Sequence, residues 1–450
     1  MFASSVGFAA TLIIALLGVP LGFTLILVGI VGFAMLRSAM VGQSLIAVVH
    51  GGLAIDWPSL SAGLTMAGQQ MFDISTNHGL TVIPLFVLMG AFIHRADLSS
   101  ELYDAANAFV GHRRGGLAMG TIVACGGFAA VCGSSVATAA TMSRVAMPSM
   151  RRYRYADSLS TGAIAAGGTL GILIPPSVPM VIYGILAEED IGKLFIAGIV
   201  PGILLVGLFL VAVAAQMAIE PAKGPPGERR DWPERLRALS GVWGVVVLFA
   251  VIIGGIYLGV FTPTEAAAIG AAGAFLFALF RGKLGLQGTF DALVESSITT
   301  TMIFVVTFGA LVFSNFINIA GLTDAMVNWI GSLHASPLGV VLAICLIYIL
   351  LGCVFDSLAM LILTVPVFTA ILKPMGVDLI WFGIIVIIVI ELGLITPPIG
   401  MNVFVVNAAI PDVDIWTVFR GIWPFVIAML ACLALVIAFP SLATLLPRLM

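Results

Sequence analysis

Charged side chains are scarce in this chain. They make up 9% of its 450 residues, against about 25% in soluble domains. A length that would suggest about three soluble domains therefore does not describe three soluble domains. Hydrophobic residues reach 61%, and the few charges cluster, leaving uncharged apolar stretches that match the ~20 residues needed to cross a bilayer core. These stretches run continuously apolar and do not alternate, which excludes a transmembrane barrel. Cysteine is sparse and solitary: Cys125, Cys132, Cys345, Cys353 and Cys432 each stand alone in an apolar run, with no spacing that suggests a metal or a disulfide framework. No Lys or Arg precedes Arg37, so the basic start of a signal peptide is missing and the first segment reads as a spanning helix with its N-terminus outside. The composition describes an all-α polytopic membrane protein.

Candidate membrane segments fall at roughly 5–19, 20–36, 79–96, 115–133, 136–150, 158–187, 194–218, 239–260, 263–280, 296–318, 337–353, 357–372, 379–409 and 421–446. The one long polar stretch, Glu220 to Arg237, carries nine charges and four prolines. It divides the chain into a first half (1–218), a linker (219–238) and a second half (239–450), and its Lys and Arg place it in the cytoplasm by the positive-inside rule. The pair 115–133 and 136–150 is bracketed by His112-Arg113-Arg114 and by Arg151-Arg152-Tyr153-Arg154. Basic residues at both ends put both ends in the cytoplasm, so two short legs joined through Gly133-Ser134-Ser135 read as a re-entrant hairpin, about 115–150. The chain then crosses outward through 158–187 to Glu188-Glu189-Asp190 and returns through 194–218. In the second half the equivalent pair, about 337–372, lacks basic flanks and falls outside. Under this topology every Lys and Arg except Arg37, Lys193, Lys373 and Arg448 is cytoplasmic, and both termini are periplasmic. The mixed segments 98–112, 285–294 and 321–333 read as interfacial helices bracing a scaffold.

An internal repeat supports the opposed orientations. Leu170-Gly171-Ile172-Leu173-Ile174-Pro175-Pro176 recurs as Leu392-Gly393-Leu394-Ile395-Thr396-Pro397-Pro398, and the same offset of 222 carries Ser134-Ser135 onto Asp356-Ser357 without a gap. Each half thus holds a polar hairpin tip followed by a Pro-Pro break in a long apolar segment, 158–187 and 379–409. Two prolines in succession unwind a helix. Unwound backbone at membrane depth persists only where it is buried in protein or lines a cavity. Inverted repeats with broken helices mark secondary transporters, in which freed carbonyls ligate cations and half-helix N-termini favour anions.

These residues resemble the large membrane subunit of the TRAP (tripartite ATP-independent periplasmic) transporters along essentially the whole chain. The likeness rests on Gly133-Ser134-Ser135-Val136-Ala137-Thr138, on Gly168-Thr169-Leu170-Gly171 running to Ser177, on Phe261-Thr262-Pro263-Thr264-Glu265-Ala266-Ala267, and on Glu391-Leu392-Gly393-Leu394-Ile395-Thr396-Pro397-Pro398-Ile399-Gly400-Met401-Asn402. The resemblance implies an elevator in the bacterial inner membrane, with a scaffold and a transport domain made of both hairpins and both broken helices. It implies Na⁺-driven uptake of an organic acid delivered by a periplasmic binding protein, with Na⁺ as coupling ion and no cofactor. The implied partners are a small four-helix membrane subunit, expected as a separate chain because this one begins directly at the large subunit, and the lipid bilayer, but not nucleic acid. Its sodium sites map onto Ser134, Ser135 and Thr138 with Gly171, Ile174 and Pro176, and onto Gly352 and Asp356 with Gly393 and Thr396. Its substrate contacts map onto Ser135, Ser357, Pro175, Pro397 and Asn402. No intramembrane Arg or Lys stands out as a carboxylate partner.

Each residue also has a plainer reading. Asp356, the one acid between Asp324 and Asp378, could cap the second hairpin leg as well as bind a cation, since an ionised carboxylate at membrane depth needs a partner. Ser134-Ser135 taken alone could be small packing residues. Thr262-Pro263-Thr264-Glu265 fits a capping box better than an acidic site. Glu391 pairs by offset with Thr169 and either relays a proton or buttresses the site. The histidines sit near segment ends and read as interfacial. An intramembrane enzyme would need a nucleophile with a base, paired aspartates or a metal cluster, and the chain offers isolated candidates. A stand-alone carrier of the same architecture, without a binding protein, is the alternative transporter.

Overall fold

The protein is described by a computed structural model covering residues 2–450 apart from 43, 50–51, 323–324, 329–335, 353–356 and 399. Helices dominate. Among the described residues seven are long and apolar enough to cross a membrane, or up to nine if each sharply bent pair counts as one span. In chain order they are α1 (Phe2–Leu16), α2 (Leu21–Met40), α3 (Trp57–Thr76), α4 (Val82–Arg95), α5 (Leu98–Val110), α6 (Gly116–Cys132), α7 (Ser135–Arg152), α8 (Asp157–Leu173), α9 (Val178–Ala187), α10 (Ile191–Ile219), α11 (Trp232–Gly241), α12 (Trp243–Tyr257), α13 (Pro263–Phe280), α14 (Leu286–Ile319), α15 (Pro337–Gly352), α16 (Ser357–Leu372), α17 (Leu379–Ile395), α18 (Met401–Ala409), α19 (Ile415–Ala438) and α20 (Ser441–Arg448). One short antiparallel hairpin, β1 (Ile46–Val49) with β2 (Gly52–Ile55), interrupts this pattern.

Several elements differ from the sequence expectation for identifiable reasons. Helix α3 occupies a stretch left unassigned by hydropathy, because Gln69, Gln70 and Asp73 dilute the apolar run. Its start is nonetheless signalled by Asp56, whose side chain accepts from Ser59 N at 3.4 Å, and by proline in the first turn. The expected interfacial helix 285–294 is not separate. It is the first part of α14, which no proline interrupts, and Asp291 and Glu295 are accommodated by Arg95 at 3.9 and 3.2 Å. The expected span 421–446 starts earlier and ends at α19; Pro440 supplies no N–H, and α20 begins after it. The linker is partly helical: α11 opens with Glu234 Oε2 accepting from Asp231 N at 3.3 Å. The expected helix over 98–112 is present as α5, with one face buried against α6, whereas 321–333 lies largely outside the described residues. At Thr262 the capping box forms as expected, with Glu265 Oε2 accepting from Thr262 N at 2.8 Å and Thr262 Oγ1 accepting from Glu265 N at 3.3 Å.

The chain divides into two compact units. The first comprises Met1–Leu80, Ile298–Leu342 and Leu361–Val377. Here α2 lies against α14 through glycines on one of its faces: a methyl on Gly22 would meet the Val305 side chain at 2.9 Å, and one on Gly29 would meet Val312 at 2.8 Å. Phe8 and Phe313 add an edge-to-face pair at 5.2 Å.

The second unit comprises Thr81–Ser297, Ala343–Met360 and Asp378–Met450. Its centre is α8, buried from Leu159 through Leu173 and enclosed by α6, α7 and α19. Helix α17 is buried in the same way from Trp381 through Ile395. A helix apolar all round must be covered all round, and small residues permit it, as where Gly162 meets the backbone of Gly421. Tyr183 Oη donates to Leu379 O at 2.6 Å and Trp381 Nε1 donates to Val436 O at 2.8 Å, so these two large polar rings are satisfied.

Candidate functional site

The first hairpin turns on two residues. Gly133 adopts φ +64°, a left-handed conformation that ends α6 at little cost only for glycine. Ser134 is extended and caps α7, its Oγ accepting from Ala137 N at 3.4 Å. Thr138 Oγ1 donates back to Ser134 O at 2.7 Å, and both Ser135 and Thr138 are buried. In the break, Pro175 and Pro176 have no N–H, so the carbonyls of Gly171 and Ile172 lose the partners four residues ahead that a continuous helix would supply. Helix α8 ends, Ile174 is extended, and Ser177 restarts the helix as α9, bent by 41°. The Pro175–Pro176 peptide is cis, as is Pro397–Pro398 in the second half.

Tip and break are in backbone contact. A Cβ on Gly133 would lie 3.0 Å from Pro176 O, and one on Gly171 would lie 2.6 Å from Ser134 O. Ser134, Ser135, Thr138, Gly171 and Pro176 are thereby gathered in one place. Ile174 belongs to the same turn, but its side chain packs toward Gly126 and Gly202. With Pro175 it lines an apolar cavity of about 300 Å³ shared with Ala130, Ile203 and Phe249. In the second half Pro397 and Pro398 similarly deprive the carbonyls of Gly393 and Leu394. Thr396 is extended after α17 and its Oγ1 donates to Gly393 O at 3.3 Å. Gly393 faces Gly352, a Cβ there falling 2.7 Å from Gly352 Cα. Ser357 opens α16 and is half-buried. Asp356, expected in this second group, lies outside the described residues.

Two side chains of the second half reach into the first. Ser135 Oγ donates to Glu391 Oε1 at 2.5 Å, and Asn402 Nδ2 donates to Ala165 O at 3.3 Å. Glu391 and Asn402 are both 0% exposed. Gly168 makes room between them: a Cβ there would lie 3.1 Å from Ser135 O and 3.2 Å from Asn402 Nδ2. Glu391 Oε2 and Asn402 Oδ1 have no hydrogen-bond partner among the described residues. The pairing of Ser135 with Glu391 has no signal in the repeat, because the offset matches Glu391 to Thr169. At the C-terminal end of α7, Arg151 binds Asp412 at 2.5 Å and approaches Asp157 at 3.8 Å, and its hydrogen bond holds the Asp412 carboxyl below the usual carboxylate range.

The family model of the tripartite ATP-independent periplasmic transporter, DctM component, matches residues 8–442. The chain belongs to this family. As a TRAP large permease it is 37% identical to the C4-dicarboxylate TRAP transporter large permease protein DctM of Pseudomonas aeruginosa, over 84% of this chain and 88% of that one. It is 34% identical to the sialic acid large permease SiaM of Vibrio cholerae, over 91% and 95% of the two chains. It is 32% identical to the ectoine large permease TeaC of Halomonas elongata, over 96% of each. Among solved structures the YdaH transporter of Alcanivorax borkumensis shares its fold, with a TM-score of 0.64 at 15% identity over 95% of this chain and 97% of that one. The TRAP permease described here is thus a multi-pass helical membrane transporter and not an enzyme.

Proposed function

We propose that this TRAP permease imports an organic acid coupled to Na⁺, by an elevator movement, after delivery by a periplasmic binding protein. It works with a small four-helix membrane subunit, in the inner membrane, with both of its own termini periplasmic. The chain is read as two inverted repeats, 1–218 and 239–450, joined by a cytoplasmic linker. One sodium ion is held by Ser134, Ser135 and Thr138 with the backbone at Gly171, Ile174 and Pro176. A second is held by Gly352, Asp356, Gly393 and Thr396. Substrate lies against Ser135, Ser357, Pro175, Pro397 and Asn402, where the N-termini of α9 and α18 offer N–H groups to an anion. No other cofactor is required.

The observation that carries this reading is the seating of the Ser134-Ser135 tip on the first break, with backbone in contact at Gly133–Pro176 and Gly171–Ser134. Carbonyl and hydroxyl oxygens crowd there in an otherwise apolar interior. Hard cations prefer such oxygen ligands, and a buried carbonyl stripped of its helical partner needs a replacement. The test is uptake into proteoliposomes containing the permease and its small subunit, with and without the binding protein, under an inward Na⁺ gradient. Uptake that requires both is expected. Sodium-driven uptake without the binding protein would make the chain a stand-alone carrier, and uptake indifferent to sodium would overturn the ion sites.

A further inference from the structure

We infer that Glu391 is a positioning residue for the first cation site, reaching from the second half of the chain to fix the Ser135 hydroxyl. The inference rests on the sodium reading above. A serine hydroxyl has one hydrogen to donate and two lone pairs to offer. It serves a cation well only when its hydrogen is committed elsewhere. Two hydroxyls of α7 commit theirs to the local backbone, Thr138 to Ser134 O at 2.7 Å and Ser143 to Ala139 O at 2.8 Å, while Thr141 pairs with His94 at 3.4 Å. Ser135 cannot follow the first two. It is the first residue of α7, and the carbonyl four residues back belongs to Val131, in the other leg of the hairpin. Its hydrogen goes instead to Glu391 Oε1 at 2.5 Å, which leaves both lone pairs to face away from α17.

The surroundings of Glu391 argue against a packing role. It sits in a turn of α17 between Ile390 and Leu392, with Ile387 and Ile388 before it, all buried. An apolar residue would fill that space without desolvating a carboxyl. Its second oxygen has no hydrogen-bond partner among the described residues, and groups left so in an interior call for a functional account. The equivalent position in the first half is Thr169, whose hydroxyl donates to Ala166 O at 2.6 Å within its own helix. The bridge therefore runs one way, from the second broken helix to the first hairpin tip. Outer partners of this kind orient a ligand and typically change metal affinity by roughly 10- to 100-fold when removed.

The test is a sodium titration of thermal unfolding, on the purified complex with its small subunit, without substrate, exchanging KCl for NaCl at constant ionic strength. Glu391→Ala should raise the half-saturating Na⁺ concentration roughly 10- to 100-fold, while Glu391→Gln, whose amide oxygen still accepts from Ser135, stays near wild type. In a Ser135→Ala background Glu391→Ala should add nothing further, since both act through one bond. If Glu391→Ala does not fold, Glu391→Met keeps much of the volume without the acceptor and takes its place. A lowered melting temperature with an unchanged sodium midpoint would mean a structural role and refute the inference, as would a Gln variant shifted as far as Ala. A wild-type complex whose melting ignores sodium overturns the sodium reading itself, and this inference with it.

Discussion

Gly171→Ala should uncouple the first hairpin tip from the first break. The added methyl would lie 2.6 Å from Ser134 O, 2.7 Å from Ser134 C and 3.0 Å from Ser135 N. All three are backbone atoms and cannot rotate aside. Ordinary contact begins near 3.4 Å, so about 3.4 − 2.6 = 0.8 Å must open between α8 and the tip. Overfilling a close-packed interior costs about 1–3 kcal/mol. If that cost falls on the docked tip, cation affinity weakens roughly 5- to 150-fold. A matched control is Gly207, which is exposed on α10 with nothing within 4 Å of an added Cβ. Gly207→Ala should be neutral or slightly stabilising, because glycine in a helix is roughly 0.5–1 kcal/mol worse than alanine. The assay is sodium-dependent uptake in proteoliposomes alongside a sodium titration of melting. Wild-type uptake and a wild-type sodium midpoint in Gly171→Ala would refute the reasoning, because the backbone contact would then not be part of the site.

Asp356→Ala is expected to abolish Na⁺-dependent uptake while the protein still inserts; uptake that keeps its sodium dependence would remove Asp356 from the second site. Thr262→Ala should destabilise α13 by about 0.5–2 kcal/mol through loss of its cap, read as a lower melting temperature with an unchanged sodium midpoint. The Arg151–Asp412 pair gives a pH signature. Because the folded carboxyl is held below its ordinary value of 3.8, its contribution is fully present above that value and is lost as pH falls through the depressed one. Asp412→Asn should therefore melt below wild type at neutral pH, and the difference should disappear on acidification; a pH-independent difference would rule out the charge as its cause.

Much of this architecture is legible in the sequence because the physical signals are local. Continuous apolar runs specify buried or membrane-spanning helices, and paired prolines break two of them where the structure breaks them. The Thr262-to-Glu265 box is readable because both of its hydrogen bonds fall within four residues. What escaped was governed by distance or dilution. Helix α3 hides because its polar residues lower the mean hydropathy although its cap is sound. In the helix that fuses 285–294 with the following span, Glu295 is paired by Arg95, 200 residues away. The Ser135–Glu391 bond spans 256 positions, and no periodicity of a single helix or repeat can encode which residue of one half meets which residue of the other. Glycine has the same ambiguity: nothing local distinguishes Gly171, pressed against a backbone, from Gly207, facing open space.

The interlocking of the two halves bears on how coupling could work. Glu391 holds the first tip, and two residues later in the same helix Gly393 faces Gly352 and accepts from Thr396. A helix is stiff over one turn, so a displacement felt at Glu391 is transmitted to Gly393 with little loss. Under the sodium reading the two ion sites are therefore not independent. An ion that draws in Ser135 also sets the axial position of α17, and with it the second break. Linkage then requires the converse: whatever organises Gly352, Gly393 and Thr396 must raise the affinity at Ser134 and Ser135 by the same factor. Asn402 ties α18 to Ala165 at 3.3 Å, adding a second cross-connection close to the expected substrate contacts. Coupling of ion to substrate needs no separate relay in this arrangement, since the groups proposed to bind each are already joined through one buried helix and two hydrogen bonds.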